Sequence, residues 1–538
     1  MASEKYSENS RYLIVRPYNG GFLDLVKFSV LGSKISGAKF LEFSDEGVIE
    51  EAFFNGEGET LYHRWLIIVS IIVRKIIGFF GKPMEWNGYI LEYILNLLSH
   101  NGNLIGFVFN LLSGKIVWPQ RGSETFISAI GHIDGRIDLF KSNIPLKIPT
   151  QSGSEDIAEK EMDIQILMDL CIMASKLAYE NANVVRNVIN CHWKMHFVDF
   201  YNCWNDYQKQ ESTQVFIMCD KPRDADLILV SFRGTEPFDA DDWSTDFDYS
   251  WYDIPEVGKV HMGFLEALGF GNRMDTSTFG KLLRLQNTKV CKSDGANVTA
   301  GESTLSSSLS DTDTFGESDQ SSDSDQAAEM PLSQMKEMSA YYAVKSKLKI
   351  LLEEHKNAKV VVTGHSLGGA LAILFLVVLV LHEETAVLQR LSGVYTYGQP
   401  RVGNRQLGQY MEAHIDQPVT KYFRVVYCND LVPRLPYDDK GFLYKHFGAC
   451  LYCDSFYLEQ KVDEEPNINY FGLRFLIPVY LNAIWELFRT LIIGYLRGPE
   501  YKEGWESILL RIVGLAMPGI SAHCPVDYVN SVRLGRQI

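Results

Sequence analysis

Between Val360 and Leu381 the chain passes from a β-branched stretch, Val360-Val-Val-Thr363, through Gly364-His-Ser366-Leu-Gly368-Gly369. It then enters an apolar stretch, Ala370 to Leu381. This order predicts a strand, a sharp turn and a helix, with the serine at the apex of the turn. Gly364 and Gly368 stand where a Cβ would collide with neighbouring backbone. Lifted above a sheet and backed by a helix amino terminus, Ser366 is a candidate nucleophile. The backbone N–H of Leu367 is a candidate donor to an oxyanion. Ala225 to Phe232, Ala358 to Val362, Gly393 to Tyr397 and Tyr422 to Tyr427 read as further buried strands separated by helix-length segments. The predicted class is α/β, a mainly parallel sheet with covering helices.

A serine nucleophile needs a base, and the base needs a carboxylate to orient it. In this topology the chain order is serine, acid, histidine. Asp430, just past the strand ending at Tyr427, is the candidate acid, whereas Asp438 and Asp439 read as solvated turn residues. Two histidines follow, His446 and His523. His446, 16 residues after Asp430, leaves little room for another element before the chain returns to the site, so His523 is the preferred candidate base over His446. His365 reads as structural. A second oxyanion donor belongs on a loop after an earlier strand, and Thr235, in Ser231-Phe-Arg-Gly-Thr235, can offer its N–H and its hydroxyl. Glu236 to Tyr252 then mixes acids with Phe238, Trp243, Phe247 and Trp251, the pattern of an amphipathic lid.

Three apolar blocks lie outside this frame. Trp65 to Phe80 is interrupted by Arg74 and Lys75, and Tyr89 to Trp118 is split near Ser99–Gly102. Tyr470 to Tyr495 carries Arg474, Glu486 and Arg489. None offers the uninterrupted run of about 20 apolar residues that a simple span needs. The first two suit segments that lie in, or dip into, one leaflet; core helices are the alternative. In the third, Leu481, Ile484, Trp485 and Phe488 share a helical face apart from Glu486 and Arg489, as in an interfacial helix.

The net charge of -16 argues against nucleic acid as a partner. Nine acidic residues against one lysine fall between Lys292 and Met330, in a Ser/Asp-rich stretch that reads as a disordered insert. Nine scattered cysteines do not form a disulfide framework, and Cys450-x-x-Cys453 has no second pair to make a metal site. The amino terminus has no secretory pattern, so a reducing, intracellular setting is expected.

The chain resembles the class 3, fungal-type lipases through Phe232-Arg-Gly-Thr235, Trp243 with Asp246, Val260-His-Met-Gly-Phe264, Gly364-His-Ser-Leu-Gly-Gly369, Tyr397-Gly-Gln-Pro-Arg-Val-Gly-Asn404 and Asn429-Asp-Leu-Val-Pro-Arg434. That resemblance covers roughly residues 160–290, 340–450 and the last twenty. It implies an α/β-hydrolase fold, a Ser366–Asp430–His523 triad, an oxyanion hole at Thr235 and Leu367, a lid containing Trp243, and no metal or organic cofactor. The apolar amino-terminal region, the acidic insert and the apolar block before His523 are most similar to the plant oil-body lipases. This branch implies hydrolysis of stored triacylglycerol at the cytosolic face of a lipid droplet, or at the endoplasmic reticulum membrane. A phospholipase A1 or galactolipase and a non-catalytic scaffold are the rival readings.

The expected organisation is an apolar, lipid-associating region (1–145), a first hydrolase segment with oxyanion loop and lid (146–290) and the acidic insert (291–338). A second hydrolase segment with the elbow and Asp430 (339–455), an apolar insertion (456–512) and a carboxyl-terminal segment with His523 (513–538) follow.

Overall fold

The computed structural model describes residues 11–30, 39–44, 59–140, 157–283, 339–415, 420–438, 444–470 and 472–537. The acidic insert and Asp439 lie outside them.

Among the described residues, nine strands form the main sheet. They are β3 (His196–Asn205), β4 (Gln210–Cys219), β5 (Leu227–Phe232), β8 (Lys359–His365), β9 (Leu391–Tyr397), β10 (Tyr422–Tyr427), β11 (Ala449–Cys453), β12 (Leu458–Val462) and β13 (Arg536–Gln537). Their spatial order is β13-β12-β11-β10-β9-β8-β5-β4-β3. The central run β5-β8-β9-β10-β11 is parallel. β4 pairs antiparallel with both β5 and β3 at one side, and β12 antiparallel with β11 at the other. The four strands read from sequence are the central β5, β8, β9 and β10. They carry continuous β-branched and aromatic runs because both of their faces are covered.

One face is covered by α7 (Leu367–Leu381), buried from Leu367 to Val380, and by α6 (Ala340–Glu354) and α5 (Met262–Leu268). A helix apolar on every side has no stable place except inside the body. The other face is covered by α3 (Ile157–Leu177) and α10 (Pro525–Leu534).

Among the described residues, a second sheet has four strands, all paired antiparallel. It draws β1 (Tyr12–Val15) and β2 (Leu41–Phe43) from the amino-terminal region and β6 (Trp251–Ile254) and β7 (Gly258–His261) from the segment after Thr235. The amino-terminal strands are thereby woven into the hydrolase body. Their core, which includes Leu13, Val15, Phe40 and Trp251, also takes in Leu66, Ile67, Ile68 and Ile71 of α1 (Glu59–His100).

α1 has 42 residues and is about 63 Å long at 1.5 Å per residue. A turn at Asn101–Gly102 joins it to α2 (Asn103–Leu112), at the break read from sequence. In the last apolar block, α8 spans Leu476–Arg497, followed by α9 (Trp505–Gly514). Leu473–Arg497 is long and apolar enough to cross a membrane by length and composition.

Arg74, Glu486, Arg489 and Arg511 of these helices are turned inward, whereas Lys82, Glu85 and Arg497 are exposed. Arg74, which interrupts the first block, is buried and paired with Asp248 at 2.7 Å, and Lys75 donates to the carbonyl of Gly20 at 2.7 Å. In α8, Glu486 and Arg489 are buried, whereas Ile477, Leu481, Ile484, Phe488 and Leu491 of the same helix are exposed. In α9, Arg511 is buried while Leu509, Ile512 and Val513 face outward. No residue of α2 is buried, and its Ile105 is 87% exposed.

Candidate active site

The turn after β8 has the strain expected of its shape. Ser366 has φ 59° and ψ −134°, outside the regions an L-residue readily occupies. A Cβ on Gly364 would lie 2.2 Å from the backbone of Gly368, and one on Gly368 would lie 2.2 Å from the carbonyl oxygen of Phe232. The sharp turn therefore admits glycine alone at these two positions. Ser366 caps α7 from the carboxyl end of β8, and its N–H donates to Tyr397 O at 2.8 Å.

Asp430 sits just beyond β10, fully buried, and accepts from His523 Nδ1 at 2.7 Å through Oδ2. Its Oδ1 accepts from the N–H of Val432 at 2.9 Å, and the Tyr528 hydroxyl donates to Oδ2 as well. The structure thus joins two residues 93 positions apart in sequence. His446 is buried elsewhere, donating from Nε2 to the carbonyl of Pro433 at 2.6 Å. Asp438 is not a solvated turn residue: it is buried and paired with Lys445, and its N–H donates to Asn469. Its chain segment is folded under by the stretch near Asn469, which lies too far along the sequence to be anticipated locally.

His365 links the elbow to the histidine. Its Nε2 lies 3.0 Å from the carbonyl oxygen of His523 and its Nδ1 2.8 Å from the hydroxyl of Tyr179. Burial, with His523 nearby, holds its pKa well below the ordinary value, so the ring is neutral. A carbonyl can only accept, so Nε2 carries the hydrogen and Nδ1 accepts from Tyr179. The ring thereby fixes the backbone of His523 beside Ser366. Tyr179, Tyr528 and this role of His365 were not legible in the sequence, which holds no local signal for them.

Thr235 is buried beside the elbow, in the loop where a Cβ on Gly234 would lie 2.9 Å from Ser366 Cβ. Its hydroxyl donates to Asp246 Oδ2 at 3.0 Å. That hydrogen is committed, so the backbone N–H of Thr235 is the group left for an oxyanion. Leu367 opens α7, where the first N–H groups of a helix have no intrahelical acceptor. Phe238 precedes α4 (Ala240–Asp246), which holds Trp243. Phe238 packs against Gly88 of α1, where a Cβ would lie 2.4 Å from its ring. Arg74 Nε donates to Ser244 Oγ at 3.2 Å, and Ser70 Oγ to the carbonyl of Phe247 at 2.6 Å. The segment over the site is therefore held down by the long amino-terminal helix. Ser366 Oγ and His523 Nε2 are both buried and have no hydrogen-bond partner among the described residues.

Burial raises the Asp246 carboxyl to about 7, against the opposing effects of the Thr235 hydroxyl and His523. Between about pH 4 and 7 the folded state then holds a proton that the unfolded state has lost. Stability falls as pH rises through that window, by up to about 1.4 kcal/mol per pH unit. Asp246→Asn is expected to flatten this slope, read as the difference between variant and wild type in urea unfolding from pH 4 to 8. Parallel curves for the two proteins would rule out the buried, protonated carboxyl.

A serine on a strained elbow over a mainly parallel sheet, together with a buried His–Asp couple, defines a serine hydrolase of the α/β-hydrolase class. A family model described as Lipase (class 3) matches residues 229–440. "Triacylglycerol lipase OBL1" of Nicotiana tabacum is 62% identical over 98% of this chain and 95% of its own length. The proteins of the same name from Arabidopsis thaliana and Ricinus communis are 53% and 43% identical, each over 98% of this chain and over 95% and 96% of their own. The chain belongs to the class 3 lipase family.

Proposed function

We propose that this chain is a triacylglycerol lipase that works at the surface of a neutral-lipid droplet, with Ser366, His523 and Asp430 as its triad. The observation that carries the reading is the row of exposed apolar side chains on the outer faces of α1, α8 and α9, with Arg74, Glu486, Arg489 and Arg511 turned inward, on a body that holds the buried serine and histidine. Exposed apolar surface of this extent is unfavourable in water and is relieved in contact with lipid. The near-full-length relatives that bear the name triacylglycerol lipase support the choice of substrate.

In the reaction, His523 Nε2 takes the proton of Ser366 Oγ as the serine attacks the acyl carbonyl. Asp430 holds the imidazole in the required tautomer through Nδ1. The N–H groups of Thr235 and Leu367 receive the oxyanion, and loss of one such donor costs about 2.7–4 kcal/mol of barrier. The protonated His523 passes its proton to the departing glycerol oxygen. Water, deprotonated by His523, then releases the fatty acid. Of the expected segment 236–252, Trp251 and Tyr252 are buried in β6 and stay with the body, so residues 236–247 act as the lid, released from their contacts with α1 when the outer face meets lipid.

The test is fatty-acid release from emulsified triolein, phosphatidylcholine and monogalactosyldiacylglycerol by wild type and Ser366→Ala. Serine-dependent release mainly from triolein is expected. Release mainly from the polar lipids would replace the reading with a phospholipase or galactolipase, and no serine-dependent release from any of the three would remove the enzyme reading altogether.

A further inference from the structure

Residues 466–470, at the base of the apolar insertion just ahead of α8, touch the turn that carries Asp430 and the turn that carries His523. On the first side stands Arg434, buried, at the end of the Asn429-Asp-Leu-Val-Pro-Arg434 motif. Its guanidinium donates to the carbonyls of Asp430, of Cys428 at 2.9 Å, of Pro466 at 2.7 Å and of Asn467 at 3.0 Å. One rigid, planar fork thereby joins the backbone of the acid's turn to the base of the insertion. The turn needs such a hold, because Cys428 has φ 36°, a conformation that persists in an L-residue only where the surroundings impose it. On the second side stands Tyr470, whose hydroxyl accepts from the N–H of Gly519 at 2.7 Å. A Cβ on Gly519 would lie 2.7 Å from the tyrosine ring, so this backbone packs directly on it. Gly519 leads into the turn before His523. Its carbonyl accepts from the N–H of Leu431 at 3.1 Å, and the carbonyl of Ile520 accepts from the N–H of His523 at 3.1 Å.

We propose that residues 466–470 are a positioning element for the His523–Asp430 pair, with Arg434 and Tyr470 as its positioning residues. The N–H of Tyr470 donates to the carbonyl of Asn467 at 2.8 Å, so the contacts run from Asp430 through Arg434, Asn467, Tyr470 and Gly519 back to Leu431. A displacement of either catalytic turn is opposed through the other. Arg434 grips backbone carbonyls, which leaves both carboxylate oxygens of Asp430 to His523, the Val432 N–H and the Tyr528 hydroxyl. A lysine at 434 would keep the charge but could not span the four carbonyls in one plane. Misplacing a reacting group by about 1 Å can cost on the order of 10²-fold in rate. The insertion that bears the outward-facing α8 is thus also part of the catalytic framework.

The inference rests on the triad proposed above, and one experiment separates the two. Wild type, Arg434→Lys and Tyr470→Phe are compared for kcat and KM on p-nitrophenyl butyrate, a soluble ester that needs no lipid surface. Each kcat is expressed per Ser366 titrated with a fluorophosphonate, so that loss of folded enzyme does not count as loss of rate, and circular dichroism establishes the fold. Arg434→Lys is expected to lower kcat by about tenfold or more and Tyr470→Phe by about threefold or more, with KM within about twofold of wild type. An unchanged kcat in either folded variant, or a rise in KM alone, would overturn the proposal. Should Arg434→Lys fail to fold, Tyr470→Phe, which removes a single oxygen, decides by the same measure. Wild-type protein that neither labels nor hydrolyses the ester would refute the hydrolase reading itself.

Discussion

Replacing His523 with alanine is expected to lower kcat for ester hydrolysis by about 10⁶-fold, the scale seen when one member of a serine–histidine unit is removed. In the proposed mechanism, removal of the imidazole leaves the proton of Ser366 without an acceptor and the leaving alkoxide without a proton donor. The fold should survive the change, because Asp430 keeps two of its donors, the Val432 N–H and the Tyr528 hydroxyl. Its buried carboxylate is therefore not left bare. The double variant Ser366→Ala/His523→Ala is expected to be no slower than either single variant, since the two side chains act in one step. The measurement is kcat on a monomeric short-chain ester, with circular dichroism to establish the fold. A loss of less than tenfold would remove His523 from the role of base.

Asp527→Ala is expected to destabilise the protein by about 3–5 kcal/mol, through buried cations left without their partner. Asp527 is fully buried and accepts from Arg489 of α8 at 2.7 Å, from Arg511 of α9 and from the Tyr457 hydroxyl at 3.2 Å. Two other carboxylates stand by Arg511 at longer range: Glu503 at 3.5 Å, and at 3.7 Å Glu486, held above the usual carboxylate range by burial and by Asp527. The hydrogen bond from Tyr427 already positions Glu486. Two outward-facing helices are thus tied to one carboxylate at the start of α10, next to Tyr528 and its bond to Asp430. Urea unfolding should show the loss as a lower midpoint, and proteolysis near Glu503 should accelerate as α8 and α9 detach. A change below about 1 kcal/mol would mean that water reaches the cluster and screens it.

The two features differ in how far they could be read in advance. The elbow is a local object: β-branched residues, two obligatory glycines and an apolar helix lie within a few turns of one another. Short-range sterics alone require that arrangement. The pairing of Asp430 with His523 was approachable through chain order and the scarcity of later histidines. Tyr528, Tyr179 and the bridging His365 were not, because each acts through a partner distant in sequence. The committed hydroxyl of Thr235 also escaped sequence reading: only the fold turns Asp246 toward it.

The apolar blocks mark the boundary most sharply. Their composition and helical spacing already separate charged from apolar side chains, and that partition belongs to the sequence alone. Which face turns inward depends on where the counter-charges stand. Asp248 meets Arg74 and Asp527 meets Arg489 and Arg511 only after the sheet has brought distant segments together. A buried charge is tolerable when paired and costly when not, so the tertiary structure, by supplying the partners, directs the charges into the protein and leaves the apolar faces outside.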